Sequence, residues 1–170
     1  MFARSACASI VRQKREREIR MLSKEPVIRI EADLEAPQLF GKTPYGERRV
    51  INITGGTVSG PRLRGTILPG GADWQIIRSD GVADIFAKYT FQIEGGGFVL
   101  VTSAGLRHGP PEVIAKLAKG EPVPRDQYYF RTCVRFETAD PQADWLNRTL
   151  MIAVGAREKM QVKLDLFEVL

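Results

Sequence analysis

The sequence predicts an all-β domain that closes into an antiparallel β-barrel of about nine strands with one short helix. Two observations carry this prediction. Apolar and polar residues alternate with period two along most of the chain, and the alternating stretches are separated by Gly, Pro and Asp clusters short enough for hairpin turns. An open sheet of that many strands would leave long unpaired edges, which favours a closed barrel over a sandwich.

The first strand is expected at 28–34, where Ile28, Ile30, Ala32 and Leu34 face one way and Arg29, Glu31 and Asp33 the other. Strands follow at 49–54, 62–68 and 73–78. Between them runs the glycine-rich stretch from Gly55 to Trp74, GGTVSGPRLRGTILPGGADW, whose three glycine clusters mark constrained bends around one place. The clearest alternation spans 83–94: Ala83, Ile85, Ala87, Tyr89, Phe91 and Ile93 share a face, and only Phe86 breaks the polar side. Further strands are expected at 97–104, 128–138, 150–154 and 159–169. The turns Ser79-Asp80-Gly81 and Glu94-Gly95-Gly96-Gly97 make neighbouring strands antiparallel. Pro110 and Pro111, Glu112, the apolar Val113, Ile114 and Leu117, and a terminal Gly120 define the helix.

The 170 residues carry 25 Lys and Arg against 20 Asp and Glu, a formal charge of +5. Residues 1–20 hold six basic and two acidic side chains, a net of +4, which leaves +1 for the remaining 150. A body so near neutrality lacks the basic footprint of phosphate-backbone binding, so no nucleic-acid partner is expected. We read residues 1–25 as a basic N-terminal extension, flexible or helical, and 26–170 as a single barrel domain; the tail reads as a targeting peptide, as a basic helix that pairs with a partner or, the favoured reading, as an extension upstream of a natural start at Met21. The longest apolar runs are far shorter than the roughly 20 residues of a membrane-spanning helix, so no membrane partner is expected. Two cysteines, Cys7 and Cys133, cannot build a disulfide framework, which suits a cytoplasmic location. A single histidine with one thiol in the domain excludes a structural zinc site, and no phosphate-binding loop or dinucleotide fingerprint is present; neither metal nor organic cofactor is expected.

The blocks GGTVSGPRLRGTILPGGADW, DGVADIFAKYTFQ, GLRHGPPEV, YYFRTCVRFET and DWLNRTL, in this order, resemble the family catalogued as domain of unknown function 3237. The likeness covers roughly residues 27–170. It implies a single barrel with a central cavity, in the style of calycins and allene oxide cyclase-like barrels, and no particular reaction.

Asp73 and Trp74 follow a Leu-Pro-Gly-Gly turn, which places an acid and an aromatic plate near the barrel rim. A desolvated Asp73 would serve as general acid or base; alternatively it caps its own turn while Trp74 packs in the core. Arg107 is the candidate clamp for a carboxylate, ahead of the adjacent His108, which backbone packing at a helix entrance explains as well. Arg131 and Arg135 share a strand face with Tyr129 and Cys133; that face either lines the cavity as an anion site or pairs outward with Glu137 or Asp140. Tyr89 lies on the apolar face of its strand, and Asn147 either reads a ligand carbonyl or holds its own loop. Together these residues point to a barrel that binds a small oxygenated or carboxylated molecule. Asp73 would do acid–base chemistry on it, such as isomerisation, cyclisation or elimination, with Trp74, Tyr89, Arg107, Arg131 and Asn147 binding. The alternative is a non-catalytic ligand-binding or structural homo-oligomeric module, and a homodimer is the expected assembly.

Overall fold

The computed structural model describes residues 21–170, and residues 1–20 of the expected basic extension lie outside them. Met21 to Ser23 are tied to the C-terminal strand. Leu22 forms a β-bridge with Val169, the Ser23 amide donates to the Glu168 carbonyl at 2.9 Å, and the Leu170 amide donates to Met21 at 3.0 Å.

Ten strands make one sheet: β1 (Ile28–Leu34), β2 (Gln38–Thr43), β3 (Gly46–Ser59), β4 (Arg64–Ile67), β5 (Gly71–Ile77), β6 (Ala83–Ile93), β7 (Phe98–His108), β8 (Tyr129–Thr138), β9 (Met151–Arg157) and β10 (Gln161–Glu168). Every pairing is antiparallel, and the β1–β3 pairing closes the sheet into an eight-stave barrel. β3 is the 14-residue strand on which closure depends. β1 and then β2 pair along one of its edges, β4 and then β5 along the other, so β4 and β5 together fill the gap between β3 and β6.

The strand absent from the sequence reading is β2. It buries nothing, with Leu39 and Phe40 at 71% and 62% exposure, so it has no inward face to impose alternation. Where β3 turns the barrel corner, the register with β1 slips between Asp33 and Leu34. Gly56 sits there at φ +128°, and a Cβ on it would lie 2.0 Å from the Glu31 carbonyl oxygen.

The barrel is filled by its inward residues, among them Ile28 and Ile30 (β1), Phe91 (β6), Val99 and Val101 (β7), Val134 (β8), Met151 (β9) and Leu166 (β10), all nearly inaccessible to solvent. Two short elements sit at its opposite ends. A 3₁₀ segment, Pro141–Arg148, is started by the Asp140 carboxylate accepting from the Gln142 amide at 2.9 Å; it packs Ala143 and Leu146 into the core near Ile93. At the other end helix α1 (Pro111–Ala118) buries Val113 and Leu117 and borders the opening beside Ala83 and Arg107.

The outer surface carries an apolar rung that crosses seven strands. Val50 pairs with Trp74, and Phe86, Ala104, Cys133, Ile152 and Phe167 are register partners in sequence, all directed outward. The Trp74 and Phe86 rings lie 6.5 Å apart, so the one residue that broke the polar alternation of β6 has an outward partner.

Candidate ligand site

Side-chain parity brings a set of polar residues into the upper half of the barrel. On β5, Asp73 faces inward opposite Ile51 and Ala87, and Gln75 does so opposite Arg49. On β6 the inward series rises through Tyr89, Ala87 and Ile85 to Ala83 at the opening. On β7 the series Val99, Val101, Ser103 and Gly105 continues to Arg107, and on β9 Met151, Ala153 and Gly155 continue to Arg157. Lower down, Ser103 donates to Thr132 at 2.9 Å.

These groups line two adjoining compartments, which share Ile51, Gln75 and Arg157 in their walls. A narrow inner one of about 40 Å³ is bounded by Asp73, Gln75, Tyr89, Ser103, Thr132 and Arg157 against an apolar lining that includes Leu34, Ile53, Ile85 and Phe130. A wide outer one of about 720 Å³ is bounded by Arg49, Gln75, Arg107 and Arg157 together with Leu39, Ile77, Ile114 and Leu117.

Gln75 organises the junction. Its Nε2 donates to Asp73 Oδ2 at 2.5 Å, and its Oε1 accepts from Arg107 Nη2 at 3.5 Å. The Asp73 residue is half-buried, yet its Oδ1 is cut off from solvent and has no hydrogen-bond partner in the protein. The same holds for Tyr89 Oη, Arg107 Nη1 and Arg157 Nη1. Arg157 is placed by its backbone, whose amide donates to Tyr128 Oη at 2.8 Å. Arg49 differs, because its guanidinium already donates to Glu47 at 3.0 and 2.6 Å.

Burial pushes the Asp73 carboxyl above its ordinary value, against the opposing pull of the Gln75 hydrogen bond and the Arg107 charge. Tyr89 is pushed up by burial and by the Asp73 charge, so its phenol keeps its proton. Burial lowers Arg107, which Asp73 partly offsets. Arg157 is pushed down to about 10 by burial and by the neighbouring Arg107 charge. The arrangement places a carboxyl group and a phenol on the inner compartment, the Arg107 guanidinium on the outer one and the Arg157 guanidinium on both.

Of the residues singled out from sequence, the structure brings Asp73, Tyr89 and Arg107 together. It does not bring Trp74, Arg131 or Asn147 to them. Trp74 follows Asp73 on one strand and therefore points to the other face, onto the outer rung. Arg131 shares the outward parity of β8 with Tyr129 and Cys133; its guanidinium donates to the Phe130 carbonyl at 2.9 Å and lies 5.3 Å from the Tyr129 ring centroid. Asn147 holds its own loop, accepting from the Thr138 amide and donating to the Thr138 carbonyl, each at 2.9 Å. His108 is exposed and stacked on Tyr129 at 4.9 Å.

Gln75 and Arg157 were missed. Gln75 was legible as the position two after Asp73, on the same face. Arg157 was concealed because Gly155 reads as a strand end; in the fold Gly155 continues β9 and makes room for the Phe130 ring, which a Cβ there would approach to 2.5 Å. Among the described residues, no group of three or more His, Cys, Asp or Glu side chains is placed to hold a metal ion, and no helix is long and apolar enough to cross a membrane.

Comparison with known proteins agrees with this picture of the fold. The family model described as "Protein of unknown function (DUF3237)" matches residues 22–169. A UPF0311 protein of Rhodopseudomonas palustris is 45% identical over 130 residues, covering 76% of this chain and 85% of that protein. The crystal structure of a conserved protein of unknown function from R. palustris superposes with a TM-score of 0.82 at 40% identity, covering 88% of this chain and 97% of that one. An enzyme from Penicillium herquei has a similar fold, with a TM-score of 0.58 at 18% identity over 87% of this chain and 97% of its own.

Proposed function

We propose that this chain, which belongs to the DUF3237 family, is a small-molecule-binding barrel that performs acid–base chemistry on an oxygenated or carboxylated compound. An isomerisation, a cyclisation or an elimination would each fit. One observation supports this reading above the others. Asp73, Tyr89, Arg107 and Arg157 reach one cavity system from four strands, and each keeps a buried polar atom without a protein partner. An unpaired buried donor or acceptor costs about 1–3 kcal/mol, so four in one place are accounted for when a ligand supplies their partners.

In this reading Arg107 and Arg157 hold an oxyanion, and Tyr89 donates a hydrogen bond to a second ligand oxygen. Asp73 takes a proton from the ligand and returns it elsewhere, or delivers it to a leaving hydroxyl. Burial holds its pKa above the ordinary carboxylate value, which makes it a stronger base than an exposed carboxylate. Negative charge that builds up on the ligand is met by guanidinium groups already fixed in place, with little solvent to reorganise. An enzyme of similar fold in P. herquei adds that such a barrel can host catalysis.

The test is incubation of the purified protein with a metabolite extract, with retained and transformed species read by mass spectrometry. Asp73→Asn is expected to retain the bound species and lose the conversion. Conversion at the wild-type rate by Asp73→Asn would overturn the acid–base role.

A further inference from the structure

We infer that the ligand is a bipartite monoanion, a carboxylate or similar single-charged oxyacid carried on an apolar body of one or two rings, which enters with its acidic group innermost. This rests on the preceding reading of the cavity as a ligand site, and it specifies what that site selects.

Charge comes first. At the junction of the two compartments stand Arg107 and Arg157, and among the described residues neither is in an ion pair. Two carboxylates line the same cavity system: Asp80 is already paired with Arg78 at 2.7 Å, and Asp73 gives one oxygen to Gln75 and leaves the other without a partner. Arg49, the third arginine at the opening, is satisfied by Glu47. The junction therefore holds one cationic charge more than its own acid can balance, which matches one anionic group in a site that water reaches poorly.

A carboxylate suits this junction better than a phosphate ester. The charged donors free of an ion pair are two planar forks, Arg107 and Arg157, with Tyr89 beyond them in the inner compartment and no lysine among the lining residues. Phosphate sites commonly exploit the free amides of a helix N-terminus. Here α1 opens with Pro110 and Pro111, which have no N–H, and the Val113 and Ile114 amides already donate to the Pro110 carbonyl at 3.0 Å. The helix presents apolar side chains to the opening and almost no donors.

Volume then fixes the orientation. The inner compartment of about 40 Å³ admits a methyl-sized group and little else. The outer one, about 720 Å³, has the capacity for a ring system and is walled by Leu39, Ile77, Ile114, Ala115 and Leu117. An acid group bound by Arg107 and Arg157 thus leaves its apolar body no direction but outward, against α1.

The experiment is calorimetric titration of the whole protein with 2-naphthoate and with 2-naphthamide, which carries the same rings without the charge. Naphthoate is expected to bind about tenfold or more tightly, the size of a charge-assisted hydrogen bond. Arg107→Gln and Arg157→Gln should each bring the two affinities within about threefold of one another. Arg157→Lys keeps a charge at the junction and should retain part of the preference, and Ile114→Asn, which makes the wall polar without adding charge, should weaken both probes together. Equal affinity of the two probes for the wild type, or an unchanged preference in both glutamine variants, would overturn the inference. These binding outcomes do not depend on turnover, so they separate from the Asp73→Asn conversion test.

Discussion

Gln75 and Asp73, two positions apart on one strand, are joined inside the barrel by a 2.5 Å hydrogen bond from Nε2 to Oδ2. Because Gln75 also accepts from Arg107, it spaces the acid from the cation where direct pairing would otherwise neutralise both. Gln75→Leu removes both contacts and nearly preserves the volume. It should lower stability by about 1–3 kcal/mol, the cost of stranding buried partners, read as a shift in the urea midpoint. Since the Gln75 bond is the largest influence holding the Asp73 pKa down, the same variant should move the Asp73 carboxyl titration to higher pH. A merely structural glutamine would leave that titration where it is.

Asp73 also makes stability depend on pH in a defined direction. Its folded pKa lies above the ordinary 3.8, so the folded protein holds this proton more tightly than the unfolded chain does. The contribution is fully present below the unfolded pKa and is lost as pH rises through the folded one. Asp73→Asn keeps an acceptor for Gln75 and carries no charge. Its unfolding free energy should therefore exceed that of the wild type above the folded pKa, with the difference disappearing in acid. Urea denaturation series at several pH values check this, and a difference constant across pH would exclude Asp73 as the titrating group.

Gly155 and Phe130 make the anchor that keeps Arg157 in the cavity. The ring lies over the glycine, and a Cβ at 155 would come within 2.5 Å of it. Gly155→Val should cost about 1–3 kcal/mol through overpacking and push the end of β9 outward. Phe130→Leu added to Gly155→Val should restore part of that loss, giving a favourable coupling in a double-mutant cycle. Additive losses would mean that the two positions do not share one packing site.

The same pair shows what was legible in the sequence. Tyr89 could be placed inward because β6 alternates over 11 residues without a glycine to disturb it. Arg131 followed the parity of β8, but parity names two faces without saying which is inside; that is decided by Phe130, Thr132 and Val134 meeting the core across the barrel. The adjacency of Asp73 and Trp74 already forbids both from entering one cavity, since successive strand residues alternate. Arg157 required knowing that a glycine lies beneath an aromatic ring 25 residues earlier in sequence, a non-local fact that no local pattern carries. β2 left no signal, because a strand with nothing to bury has no reason to alternate.

Asn147 gives a prediction that separates the loop from the site. Its carboxamide bridges the two sides of the turn between β8 and the 3₁₀ segment, accepting from the Thr138 amide while donating to the Thr138 carbonyl and, at 3.2 Å, to Asp144 Oδ1. This end of the barrel is opposite the opening bordered by α1, so Asn147 has no route to a ligand held by Arg107 and Arg157. Asn147→Ala should lower stability by about 0.5–1.5 kcal/mol, the net worth of partly exposed hydrogen bonds. The affinity for 2-naphthoate should stay at the wild-type value in the same preparation. A loss of affinity larger than the change in stability explains would return Asn147 to the binding residues and require the two ends of the barrel to communicate.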